Sequence, residues 1–204
     1  MIKVTLIGDS IRQSGYGKVV PRLLGEDFEV FQPADNCRFA KYTLRGLFDW
    51  EKDMKGSRIV HFNCGLWDVC NILGDGRLFT SDEEYVDNML RITDILLSRY
   101  EKVIFATTTP VSLKNVYNKN EDIKRFNDIL VPKLLEKGVI INDLYSTVIA
   151  DLDRFICDDT IHLSPDGIEV CSKQVADIIL ETAKTLDGCE KSENLTAHVD
   201  GAPV

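Results

Sequence analysis

The sequence has little of what marks a metal, redox or membrane protein. Its three histidines are scattered, and its six cysteines (37, 64, 70, 157, 171 and 189) form neither a Cys-x-x-Cys motif nor a set with paired histidines. That pattern offers no metal site, and no cofactor is expected. No apolar run approaches the roughly 18–20 residues that a membrane helix needs. No signal peptide is visible, because the chain opens directly into an alternating apolar stretch. Reduced thiols and a cytoplasmic location are therefore the expectation. Basic residues are also in deficit, with 24 Lys and Arg against 33 Asp and Glu and a net charge of −9. Such a balance argues against nucleic acid or an anionic membrane as a partner. No internal repeat and no domain boundary stand out, and 204 residues suffice for one sizeable domain. Residues 1–187 are read as that domain, and the polar, aperiodic segment 188–204 as a disordered tail.

What the sequence does contain is an alternation of strand and helix patterns. Ile2, Val4 and Leu6 alternate with polar residues and run into Gly8, as in a buried strand that ends in a tight turn. After a polar loop from Arg12 to Gly17 comes a short helix around 18–24, with Pro21 in its first turn. Further strands are read at 28–31, 58–63, 102–107 and 139–142. The helices expected between them cover 43–54, with Leu44, Leu47, Phe48 and Trp50 inward, then 81–99, 120–137, 144–152 and 165–186. Ser81 with Glu84 forms a capping box, and Ser164-Pro165 supplies a cap with proline at the first helical position. Pro132 is expected to kink or divide its helix. The long irregular stretch 66–79 is of a kind that is often functional. The order βαβα implies an α/β protein: a mainly parallel five-stranded sheet with helices on both faces.

Ser10 follows the first strand at its carboxyl end, where open α/β sheets place their ligands. A serine nucleophile needs a base, and the base needs an orienting group. Of the histidines, His61 lies mid-strand and reads as a packed side chain, and His198 falls in the tail. His162 alone has a carboxylate three residues before it, Asp159, in a loop that leads to a helix cap. The two can meet within one turn, leaving the second ring nitrogen to face a serine. Equally, they can simply satisfy each other's polar groups.

Gly8-Asp9-Ser10-Ile11 after the first strand, and Asp159-Thr160-Ile161-His162-Leu163-Ser164-Pro165-Asp166-Gly167 before the last helix, together resemble the first and last signature blocks of the GDSL/SGNH hydrolases. The resemblance spans residues 1 to about 186. It implies a flavodoxin-like three-layer α/β/α sandwich carrying a Ser–Asp–His triad that hydrolyses carboxylic esters. Ser10 would be the nucleophile, His162 the base and Asp159 its orienter. The family's third block, Gly-x-Asn-Asp, carries an oxyanion-holding asparagine, and here it reads Gly65-Leu66-Trp67-Asp68. Its second block offers a glycine N–H, where this chain has Asn36-Cys37-Arg38. Candidate replacements are the Asn63 amide, the Cys37 backbone N–H, Asn36 and Trp67. By analogy with the family the substrate is a small-molecule ester of a short acyl group such as acetyl, with carbohydrate esters included. The alternative is a non-catalytic binding module on the same fold.

Overall fold

The computed structural model describes residues 1–186. Its framework is one parallel sheet of five strands, β1 (Ile2–Ile7), β2 (Phe28–Phe31), β3 (Ile59–Asn63), β4 (Lys102–Ala106) and β5 (Ile140–Asn142), in the order β2-β1-β3-β4-β5. Val4 pairs with Val30 on one side and Ile59 on the other, and His61 lies between Leu6 and Ile104. Every residue of β3 is buried. Helices cover both faces of a parallel sheet, so its central strands read as continuous apolar runs.

Among the described residues eight helices supply the two outer layers: α1 (Val20–Leu24), α2 (Ala40–Asp49), α3 (Glu51–Met54), α4 (Asp82–Arg99), α5 (Asn120–Glu136), α6 (Leu144–Ile149), α7 (Leu152–Phe155) and α8 (Pro165–Ala183). One group packs α1, α6 and α7 against α8, and the other packs α4 between α2 and α5. Tyr85, Met89, Ile92 and Leu96 on α4, and Ile123, Phe126, Leu130 and Leu134 on α5, are buried at helical spacing. The Tyr85 and Phe126 rings stack at 4.4 Å between the two helices. Among the described residues no helix is long and apolar enough to cross a membrane. His198, Cys189 and the expected tail lie outside the described residues.

Several expectations are corrected. The helix read at 43–54 starts earlier, at Ala40, and breaks at Trp50 into α2 and α3. Phe48 is 72% exposed, because the helix turns Thr43 and Leu47 to the core and leaves Phe48 beneath the Arg45 guanidinium. Ser81 does cap α4 by accepting from the Glu84 N–H, but the Glu84 carboxylate pairs with Lys41. Pro132 lies inside α5 without dividing it, since Asn120–Glu136 is one continuous helix. The helix read at 144–152 is two short ones, each started by an aspartate cap, Asp143 and Asp151.

Chain direction across the sheet reverses between β1 and β3, since β2 lies on one side of β1 and β3 to β5 on the other. The crevice at such a switch point is where open α/β sheets bind ligands.

Candidate active site

Ser10 and Asn63 stand at the carboxyl ends of the two strands that border this crevice. Past β1 the expected polar loop is a tight π-helical turn, Ile11–Gly15, with Ser10 at its start. Asp9 builds the turn: its carbonyl accepts the Gln13 N–H (2.9 Å) and its Oδ1 accepts the Ile11 N–H (2.9 Å). Gly8 is required for space, since a Cβ there would collide with Asn63 Oδ1 and Arg12 Cβ. Arg12, itself buried, ties the turn to the loop after β2 by donating to the carbonyls of Gly8, Pro33 and Asp35.

Asp9 is buried, and desolvation raises its pKa against the opposing pull of Asn63, the Ile11 N–H and Arg12. Its Oδ1 also accepts from Asn63 Nδ2 at 2.9 Å. Asn63 Oδ1 in turn accepts the hydroxyl of the fully buried Tyr16 at 2.6 Å. The tyrosine ring meets His61 edge-on, at 5.6 Å between centroids. His61 Nε2 lies 3.2 Å from Asn142 Nδ2, and burial pushes the imidazole pKa down to about 3. It is a neutral core residue.

The loop before α8 is organised around Asp159. Its Oδ1 accepts the backbone N–H groups of Ile161 (3.0 Å) and His162 (2.9 Å), and its Oδ2 lies 2.7 Å from His162 Nδ1. Desolvation raises the Asp159 pKa, but those two N–H groups and the imidazole outweigh it, and the carboxyl ends below its ordinary value. Thr160 turns the chain between them with a left-handed φ of 73°. The loop is closed below by Cys157 N–H to His162 O at 2.7 Å, and Ser164 caps α8 through the Gly167 N–H. It is braced from the side by the loop after β4. Ser112 N–H donates to Thr160 O (3.0 Å), and Asn115 Nδ2 donates to Thr160 Oγ1 (2.9 Å).

With α1 docked on α8, Ser10 and His162 line one small cavity with Ile11, Ser14, Gly15 and Leu163. Its volume is about 20 Å³. With Nδ1 engaged by Asp159, Nε2 is the ring nitrogen left for a serine proton.

The other candidates divide. The Cys37 N–H donates to Gly8 O at 3.1 Å, which removes it as an oxyanion donor in this conformation. Asn36 Oδ1 caps the Arg38 N–H at 2.8 Å, a local loop contact. Trp67 is 39% exposed on the long loop, whereas its neighbour Asp68 is buried and accepts from Ala40 N–H, Thr80 Oγ1 and Cys64 Sγ. Burial raises the Asp68 pKa to about 6 despite these donors. Asn63 spends one amide hydrogen on Asp9 and keeps another. The sequence reading missed the roles of Tyr16 and Arg12, whose bonds to Asn63 and to the carbonyls of Pro33 and Asp35 reach far along the chain and leave no local pattern. Among the described residues no His, Cys, Asp or Glu cluster could hold a metal ion, and Cys37, Cys64, Cys70, Cys157 and Cys171 are free thiols.

No protein-family model and no curated protein sequence matches the chain. Solved structures do match it in shape. A lipase/acylhydrolase from Enterococcus faecalis superposes with a TM-score of 0.73 at 20% identity, covering 89% of this chain and 97% of that one. A member of the lipolytic protein G-D-S-L family from Veillonella parvula gives 0.72 at 14% identity, over 91% and 100% of the two chains. An acetylxylan esterase from Geobacillus stearothermophilus gives 0.70 at 14% identity, over 88% and 93%. The chain therefore has the α/β/α fold that these lipolytic and acetylxylan-esterase structures share, over nearly its whole length.

Proposed function

We propose that the protein is a serine hydrolase that cleaves carboxylic esters of short acyl groups such as acetyl, carbohydrate esters among them. The observation that carries this reading is the imidazole of His162, held through Nδ1 by Asp159 and sharing a cavity with Ser10. In the proposed reaction Ser10 Oγ attacks the ester carbonyl as His162 Nε2 takes the hydroxyl proton. Asp159 stabilises the imidazolium that forms and remains ionised. Collapse of the tetrahedral intermediate breaks the carbon–oxygen bond to the alcohol, which leaves with the proton from His162. Water then repeats the sequence on the acyl-serine, releasing the acid and restoring the hydroxyl.

Negative charge on the carbonyl oxygen needs donors that are in place beforehand. The Ser10 N–H takes no part in the bonds that Asp9 uses to build the turn, and Asn63, whose Nδ2 bonds Asp9 in that turn, has a second amide hydrogen to offer. These two are the proposed oxyanion donors. The cavity beside Ser10, about 20 Å³, favours a short acyl group over a long one.

The test is labelling by a fluorophosphonate probe, together with turnover of a short acetyl ester. An activated Ser10 is labelled and turns the ester over, and both signals vanish in Ser10→Ala. If the wild-type protein is neither labelled nor active, the fold serves as a binding module here.

A further inference from the structure

Among the described residues twelve large apolar side chains are exposed, and seven of them sit on just two loops, 64–81 after β3 and 107–119 after β4. Leu113 is 85% exposed, Val116 70%, Tyr117 51% and Trp67 39%. Exposed apolar residues scattered singly need no explanation, but a concentration at one rim of a sheet marks a binding surface.

These loops are not loose. Asn71 N–H donates to Tyr117 O (2.8 Å) and Asn118 Nδ2 to Leu66 O (2.9 Å), which ties one loop to the other. Asn115 Oδ1 accepts the N–H groups of Tyr117 and Asn118 and fixes the turn that carries the exposed residues. The same asparagine, through Nδ2, and the Ser112 N–H hold Thr160, which stands between Asp159 and His162. A continuous set of hydrogen bonds therefore runs from the apolar rim to the loop of the proposed base. Binding to a surface already ordered in this way costs little conformational entropy.

We propose that this rim, above all Leu113, Val116 and Tyr117 with Trp67, binds the alcohol portion of the ester, and that the preferred alcohol is neutral with a broad apolar face, such as an aryl alcohol. The proposal rests on the esterase reading above and adds the leaving-group specificity to it. Chemistry sets the direction. The leaving alkoxide receives its proton from His162, so the alcohol lies on the His162 side of the scissile bond. The loop braced against the His162 loop is the one that carries Leu113, Val116 and Tyr117. The enclosed space beside Ser10 holds no large group, so the bulk of a substrate must lie outside it, over the rim. The net charge of −9 disfavours an anionic alcohol.

The experiment uses the full chain and two readouts. In the first, kcat/KM is measured for phenyl, 2-naphthyl and 4-phenylphenyl acetate, whose leaving groups have similar acidity. The expected rise from the first to the last is about ten-fold or more, carried by KM, from the extra apolar area removed from water. Leu113→Ser and Tyr117→Ser should flatten the series, the loss falling mainly on KM for the 2-naphthyl and 4-phenylphenyl esters. In the second, 4-phenylphenol is titrated into the Ser10→Ala protein, where no turnover is possible, and into the same protein carrying Tyr117→Ser. Saturable binding that Tyr117→Ser weakens supports the rim even if no ester is hydrolysed, which keeps this proposal separate from the esterase reading. A flat series with active enzyme, or no binding to Ser10→Ala, overturns it. So does a stable dimer in sedimentation that Leu113→Ser and Tyr117→Ser dissociate, because a second copy of the chain would then be the occupant.

Discussion

Tyr16 donates its hydroxyl to Asn63 Oδ1 at 2.6 Å with both side chains buried, and together with the Asp9 oxygen that accepts from Nδ2 this bond holds the amide in place. Oxygen is drawn to the tyrosine and nitrogen to the carboxylate. An amide rotated by half a turn would set oxygen against oxygen at Asp9 and reverse the tyrosine bond, with the phenol oxygen then accepting. Tyr16 is thus a positioning residue for the proposed oxyanion donor.

Tyr16→Phe keeps the ring against His61 and removes only the hydroxyl. Asn63 Oδ1 is then left buried without its donor, at a cost of about 1–3 kcal/mol in stability. Turnover of an acetyl ester should fall by about ten-fold or more, within the range for a weakened oxyanion donor, while KM stays close to wild type. Steady-state kinetics and a thermal melt check this. An unchanged kcat in a destabilised protein would reduce Tyr16 to a packing role.

Asp159→Asn should lower kcat by roughly 10³–10⁴, because an amide cannot stabilise the imidazolium and can select the wrong tautomer. Half of the Asp159 side chain is exposed, so the melting temperature should barely move. Retention of most activity would show that the Asp159–His162 contact is only structural. Because the pKa of Asp159 lies below its ordinary value, the carboxylate should keep orienting the ring down to mildly acidic pH. That contribution is present above about pH 4, the unfolded-state value, and is lost as pH falls through the lower folded-state value.

Two buried groups set opposite slopes in stability against pH. Asp68 has its pKa raised from 3.8 to about 6 by burial, so between these values the unfolded chain has released a proton that the folded one keeps. Stability therefore falls as pH rises through that window, by up to about 1.4 kcal/mol per pH unit. His61 has its pKa lowered from 6.5 to about 3, so the unfolded chain binds a proton that the folded one excludes, and stability falls as pH drops through that window. Between about pH 4 and 6 the two largely cancel. Asp68→Asn should unmask a rise in stability with pH there, and His61→Gln a decline. Denaturant unfolding of each variant at several pH values measures the slopes, and parallel curves for both variants and wild type would contradict the assignment.

Gly8→Ala should disrupt the serine turn from beneath. The new Cβ collides with Asn63 Oδ1 and Arg12 Cβ, so either the turn or the amide must move. A stability loss of about 1–3 kcal/mol is expected, with fluorophosphonate labelling slowed more than unfolding alone explains. Labelling at the wild-type rate would mean that the crevice tolerates the methyl group.

The parts of the site that could be read from the sequence are those written in short spacings. Asp159 and His162 lie three residues apart before a Ser-Pro cap, and Ser10 follows a glycine-stopped strand. The remainder depends on partners brought together by the sheet. Tyr16 meets Asn63 from 47 residues away and Asn63 meets Asp9 across 54, contacts that no periodicity encodes. The Cys37 N–H has no partner in its own loop, and Gly8 O, at the turn just past β1, accepts it. Phe48 was misplaced for a different reason. An apolar residue next to a core position can lie under an arginine at the surface, and hydrophobicity alone does not distinguish the two.

The packing of α1 on α8 has a consequence for how activity is acquired during synthesis. The proposed nucleophile follows β1, and its base is synthesised after all five strands, on the loop before α8. A nascent chain that ends between Asn142 and His162 holds all five strands without the proposed base, so the sheet can form before the protein can act on any ester. Onset of fluorophosphonate reactivity would then report the docking of the final helix, giving a clock for the closing step of folding that spectroscopic probes of the sheet would not register.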